Sequence, residues 1–202
     1  LAPPAFHSRF VSRGAISFIA KGVTSYFDDL IVLRAGLATQ EEYLGLLGKM
    51  IQQVEDSPGR LLQTLKDSSF DTWIKYYRPD ENAIDSRISY YTKGALVAFL
   101  LDVHIRILSD DRYSLADVMR QLWQRCRVSG YTLSDFESIA SELAGADLTE
   151  WFDKHVRRSD QPDYQTALDW LGLKLDPSNA VSPSNSVGMA VSNAKTSVPK
   201  PE

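Results

Sequence analysis

Cysteine is nearly absent from this chain of 202 residues: Cys126 is the only one, so no disulfide can close within it. That excludes a disulfide-stapled scaffold without fixing the compartment, because many exported proteins also lack disulfides. Long apolar runs are missing as well. The strongest, Gly94 to Leu101, is eight residues long, far short of the roughly 20 that span a bilayer, so no membrane partner is expected. Basic charge is not concentrated either, with 22 Lys and Arg set against 26 Asp and Glu for a net charge of −4. Phosphate binding needs a dense basic footprint, so nucleic acid is excluded as a partner. Histidine is scarce. His7, His104 and His155 are the whole set, and no two are spaced to ligate a metal from one helical face. No segment sustains the period-two alternation of a half-buried strand.

What is present is ordinary globular material, 44% hydrophobic and 24% charged, enough for one domain with its own core. The apolar residues recur at helical spacing. Ile16, Ile19, Val23, Tyr26, Phe27 and Leu30 form one stripe, with Asp28 and Asp29 at its border and Gly36 placed as a C-cap. Thr39 and Glu42 have capping-box spacing at the head of a second helix, whose face is Tyr43, Leu46, Leu47, Met50, Ile51 and Val54. From Arg60 to Arg87 the pattern weakens, and 76–86 reads as an exposed loop. Ser89 or Tyr90 opens the most hydrophobic helix, ending about Leu108; its middle, 95–101, is apolar on all sides, as in a helix buried among others.

Three more helices carry clear start signals. Ser114 caps 115–128, with Val118, Leu122 and Trp123 inward; Thr132 or Ser134 caps 135–143, stopped by Gly145; Asp147 opens 148–156. A short helix over 164–170 ends at Gly172. The fold class is therefore all-α, a helical bundle over 14–175 between an irregular segment (1–13) and a Ser-, Asn- and Pro-rich stretch (176–202). That stretch is a flexible tail or the truncated start of a further domain. The first residues, Leu1-Ala-Pro-Pro-Ala-Phe-His7, lack the basic flank and apolar region of a secretion signal. The expectation is a soluble piece of something larger, cytoplasmic or periplasmic.

Two motifs point to chemistry. The first is Lys21-Gly22-Val23-Thr24-Ser25-Tyr26-Phe27-Asp28-Asp29-Leu30; the second is Ile88-Ser89-Tyr90-Tyr91-Thr92-Lys93-Gly94-Ala95-Leu96. Together with Arg34-Ala35-Gly36-Leu37, Pro58-Gly59-Arg60 and Phe70 to Asn82, they make the chain resemble the glycyl aminopeptidase family of gluzincin zinc metallopeptidases over about 17–175. In that family a His-Glu-x-x-His helix supplies two zinc ligands and a general base, and a Glu-Gly-Phe-Thr-Ser-Tyr-Tyr-Asp-Asp-Leu helix supplies the third ligand. The resemblance implies the C-terminal helical half of such a catalytic domain. For the intact family it also implies a zinc cofactor, a peptide substrate with a small N-terminal residue and a following PDZ-like domain. Tyr91 takes the position of the tyrosine whose hydroxyl stabilises the oxyanion. Tyr76, Tyr77 and Arg78 fall where a loop borders the substrate cleft.

Two departures weigh against activity. No His-Glu-x-x-His occurs in the chain, and Lys21 replaces the ligand glutamate with a cation that, protonated, has no lone pair to offer. No tight zinc binding and no peptide hydrolysis are expected of this chain alone. The alternative is a non-enzymatic helical interaction module derived from the fold. A fragment would leave apolar helix faces uncovered and self-associate through them.

The remaining chemistry is slight. His104 reads as a packing histidine and His155 as a last-turn cation. Asp28-Asp29 and Asp110-Asp111 read as solvated acids on helices, and Asp153, Lys154, Arg157 and Arg158 as a solvent face. Arg125 and Arg127 beside Cys126 would ease thiolate formation.

Overall fold

A computed structural model describes residues 18–57, 64–65, 90–175 and 181–183. Among the described residues are seven α-helices, most of them packed on one of their number. A π-helical turn, Phe18–Val23, runs into α1, Thr24–Arg34; α2 is Gln40–Glu55, and α3, Tyr90–Leu108, is the longest. Then come α4, Leu115–Cys126, α5, Leu133–Ala144, α6, Thr149–Phe152, a second π turn, Asp153–Arg157, and α7, Tyr164–Trp170.

α3 is the axis of the bundle, touching the first π turn, α1, α2, α4, α5 and α7. Every residue from Ala95 to Leu101 is at most 4% exposed. Apolar residues all round a helix leave no polar face for water, so the low-energy arrangement surrounds it with other helices. A fully buried Leu, Val or Phe contributes about 1.5–3 kcal/mol, which makes this run the largest block of the core. The apolar run is thus buried within the chain itself. The first stripe is buried at Ile19, Val23 and Tyr26, with Phe27 and Leu30 packed against the core.

Local signals set most helix boundaries. At α2 the Glu42 amide donates to Thr39 Oγ1 (3.2 Å), and the Thr39 amide donates to Glu42 Oε2 (2.7 Å). Of the two candidate caps for α5, Thr132 is used, through the same reciprocal pair with Asp135. Gly145 ends α5 at φ 70°, a left-handed conformation that a Cβ would strain.

Several expectations require correction. Trp123 is 68% exposed rather than inward, because Val118 and Leu122, four apart, define the buried face of α4 and the next residue turns about 100° off it. Leu46 is 43% exposed for the same reason; Leu44, Leu47, Ile51 and Val54 carry the inner face of α2. Asp110 and Asp111 are not helical neighbours, since both follow α3 at positive φ (52° and 57°). The expected helix over 148–156 is α only to Phe152 and then widens to a π turn. Besides the helices, the described residues hold one antiparallel ladder, with β1, Leu173–Leu175, paired to β2, Val181–Pro183, so that Lys174 faces Ser182. Three-residue strands are too short for alternation to register in the sequence. The segment 1–13 and the loop 76–86 lie outside the described residues.

Candidate functional site

The two sequence motifs meet, and glycine is the reason. A Cβ built on Gly22 would stand 2.6 Å from the Gly94 carbonyl carbon and 2.7 Å from its Cα. Backbone therefore lies on backbone, bringing the π turn of Lys21 against the first turns of α3. Lys21 itself is exposed, whereas Lys93, next to Gly94, is only 2% exposed. Burial pushes the Lys93 ammonium down to about 8.

A groove of about 260 Å³ opens beside this contact, between α1, α2 and α3. Ser25 and Asp29, one turn apart on α1, line one wall; Lys49 and Gln53 come from α2, and Tyr91 and Thr92 from α3. Tyr91 is half-buried here, so the hydroxyl-bearing residue singled out from sequence stands on a groove wall rather than wholly in the core. Chemically the groove offers a carboxylate, an ammonium, an amide and hydroxyls over an apolar base of Leu46, Met50 and Ala95. Such a surface suits an extended polar chain better than a purely apolar ligand.

Behind the groove lies a network that sequence reasoning missed. Tyr26, in the middle of the first motif, donates its hydroxyl to Asp102 Oδ2 at 2.8 Å. Arg106 Nε donates to the same oxygen at 3.0 Å, and the Leu115 amide donates to Oδ1 at 2.6 Å. Asp102 is 5% exposed, so its carboxylate joins α1, α3 and α4 through one buried group. Burial, with the Asp102 charge beside it, pushes the Tyr26 phenol well above its ordinary range. Tyr43 is pushed up to about 12, chiefly by burial and then by the Asp102 and Asp29 carboxylates. The missed signal was a lone acid directly after the apolar run 94–101.

The described residues do not fit a zinc ion. Among the described residues no three His, Cys, Asp or Glu side chains are grouped to hold a metal. Lys21, in the first motif, presents an exposed ammonium rather than a carboxylate. His104 and His155 lie toward the other end of α3, stacked near parallel to the Trp151 ring at centroid distances of 5.9 and 4.2 Å. His155 is 7% exposed and buried rather than a last-turn cation; burial pulls both imidazoles below their ordinary range. His7, Tyr76, Tyr77 and Arg78 lie outside the described residues.

Two other readings change. Burial and the Asp135 charge push the Cys126 thiol up, while Arg125 is committed to Glu142 through two bonds of 2.7 and 2.9 Å. The charged run after α6 is ion-paired, Arg157 with Glu137 and Asp153, and Arg158 with Glu150 and Asp160. No described helix is long and apolar enough to cross a membrane.

Comparison with known proteins follows the same geography. A family profile described as M61 glycyl aminopeptidase matches residues 3–97, a span that holds both motifs and both glycines of the contact. Among solved structures, an aminopeptidase N family protein from Idiomarina loihiensis superposes with a TM-score of 0.76 at 31% sequence identity. The match covers 86% of this chain but 30% of that one, so the chain corresponds to less than a third of the longer protein. No curated protein matches.

Proposed function

From the premise that the chain belongs, as a partial domain, to the M61 glycyl aminopeptidase family, we propose that it is the helical half of a peptidase catalytic domain that has lost its metal chemistry. In this reading the groove at Tyr91 is the remnant of the cleft for a peptide with a small N-terminal residue. Tyr91 is the former oxyanion donor. As this chain, the protein neither holds zinc tightly nor hydrolyses peptides.

The observation that carries this is Lys21. A ligand carboxylate attracts the metal, whereas an ammonium near 4 Å repels each unit of its charge by about 4 kcal/mol at an effective dielectric constant near 20. Deprotonated lysine is not among the usual ligands of catalytic zinc. The test is zinc content after exhaustive dialysis together with turnover of glycine- and alanine-nitroanilide by the full chain. The expected result is substoichiometric zinc and no turnover. Stoichiometric zinc, or turnover that Tyr91→Phe abolishes, overturns the proposal.

One observation favours a second reading, a non-enzymatic module. Ala95 to Leu101 are at most 4% exposed, so the axis of the bundle needs no further half to bury it. A monodisperse monomer with one sharp unfolding transition supports the module; self-association supports the uncovered fragment.

A further inference from the structure

A second groove, about 520 Å³, lies toward the C-terminal end of α3, between that helix and α6 and α7. Its apolar base includes Val103, Ile107 and Leu148, and one wall is His104, Trp151 and His155. The two imidazoles make angles of 22° and 20° with the indole, so three flat rings join α3 to α6 and the turn after it. His155 Nδ1 is 2.8 Å from the Trp151 carbonyl oxygen. That oxygen only accepts, so Nδ1 carries the proton and Nε2 is the atom left to titrate.

The titratable groups that line this groove with His155 are unequal. From α3 comes His104, from the turn before α6 Asp147, from α6 Glu150, from the π turn Lys154, and from the start of α7 Asp163. Asp147 accepts from the Thr149 amide and hydroxyl, Asp163 from the Thr166 amide and hydroxyl, and Glu150 pairs with Arg158. Burial opposes positive charge on His155 most strongly, and Lys154 and His104 add to it; the Trp151 carbonyl and, more weakly, Asp163 favour the charge without overcoming burial. Charging a ring in this stack therefore places a cation in a mostly buried site whose facing acids are already engaged.

We propose that the His104–Trp151–His155 stack is a pH-sensitive clasp, closed at neutral pH and released in mild acid, that ties the segment 147–172 to the C-terminal end of α3. The sign follows from linkage. Rings that are harder to protonate when packed bind more protons once the seam opens, so acid favours the open form. The clasp is independent of the peptidase reading and rests on the other end of the axis helix.

The test is amide hydrogen exchange of the full chain at pH 7.5 and 5.5, corrected for intrinsic rates. Protection over 149–168 is expected to fall about tenfold in acid while α1 and α2 hold theirs. In the His104→Gln/His155→Asn double variant the acid loss is expected to shrink below about twofold. An equal acid loss in the double variant, or wild-type protection that ignores pH, overturns the clasp. Should the double variant fail to fold, proton NMR titration of the wild-type histidines decides. Both rings titrating below the free imidazole value, with seam protection lost over the same pH range, supports the clasp; ordinary titration with the seam intact overturns it.

Discussion

Gly22 and Gly94 touch backbone to backbone, so closely that a single methyl group on Gly22 would lie 2.6 Å from the Gly94 carbonyl carbon. This contact brings the two motifs together and sets the position of everything in the groove beside it. An atom of backbone cannot swing aside as a side-chain end can, so relief requires the first π turn to separate from α3.

Gly22→Ala is therefore expected to destabilise the chain by about 1–3 kcal/mol through overpacking, despite the better helix propensity of alanine. Gly45, on α2 with nothing within 4 Å of its Cβ position, is the control. Gly45→Ala should stabilise by about 0.5–1 kcal/mol. Urea unfolding of both variants checks the pair, and equal shifts would remove the glycine contact from the account.

The Tyr26–Asp102 hydrogen bond of 2.8 Å ties α1 to α3, one turn beyond the glycine contact. Tyr26→Phe should cost about 1–2 kcal/mol. Asp102→Ala should cost about 3–5 kcal/mol, because it leaves the Leu115 amide, the Tyr26 hydroxyl and the Arg106 charge without their shared acceptor. A double-mutant cycle is expected to give a coupling of about 0.5–3 kcal/mol. Additive effects would mean the bond carries no energy of its own.

Lys93 predicts an alkaline rise in stability. Its ammonium is pushed from 10.5 down to about 8 in the folded chain, so between those values the unfolded chain binds more protons. Folding is penalised fully below pH 8, and the penalty is relieved as pH climbs toward 10.5, by up to about 3 kcal/mol at about 1.4 kcal/mol per unit. Denaturant midpoints from pH 7 to 10.5 should rise in the wild type and flatten in Lys93→Met. A slope that survives the substitution assigns it to another group.

Lys21 is exposed, so Lys21→Glu should change stability by less than about 0.5 kcal/mol. It places a carboxylate there but supplies one ligand where catalytic zinc takes three. Dialysis against zinc followed by metal analysis should still find no stoichiometric ion. Zinc retained by this single variant would locate further ligands in the chain.

Much of the bundle was readable before any coordinates because helix signals are local. The Thr39–Glu42 and Thr132–Asp135 caps act across three residues, and the stripe Ile19, Val23, Tyr26 repeats within one turn. Tyr91 was named from a motif, and the structure sets it on a groove wall. The misreadings have a common source. Trp123 and Leu46 were placed inward on apolarity alone, but which of two adjacent apolar residues is buried depends on what packs opposite. Arg125 and Arg127 beside Cys126 suggest an eased thiolate; Arg125 does act in that direction, but burial and the Asp135 charge outweigh it.

By itself the sequence determined the helical class, most of the caps, the apolar axis over 95–101 and a lysine, not a carboxylate, at position 21. These are properties of composition and of neighbours within one or two turns. Tertiary structure alone decided that Gly22 meets Gly94, that Tyr26 reaches Asp102 76 positions away, and that His104 shares a ring stack with His155. Such pairings follow from how helices pack around α3. Packing responds to shape and buried area summed over the whole chain, which no local spacing encodes.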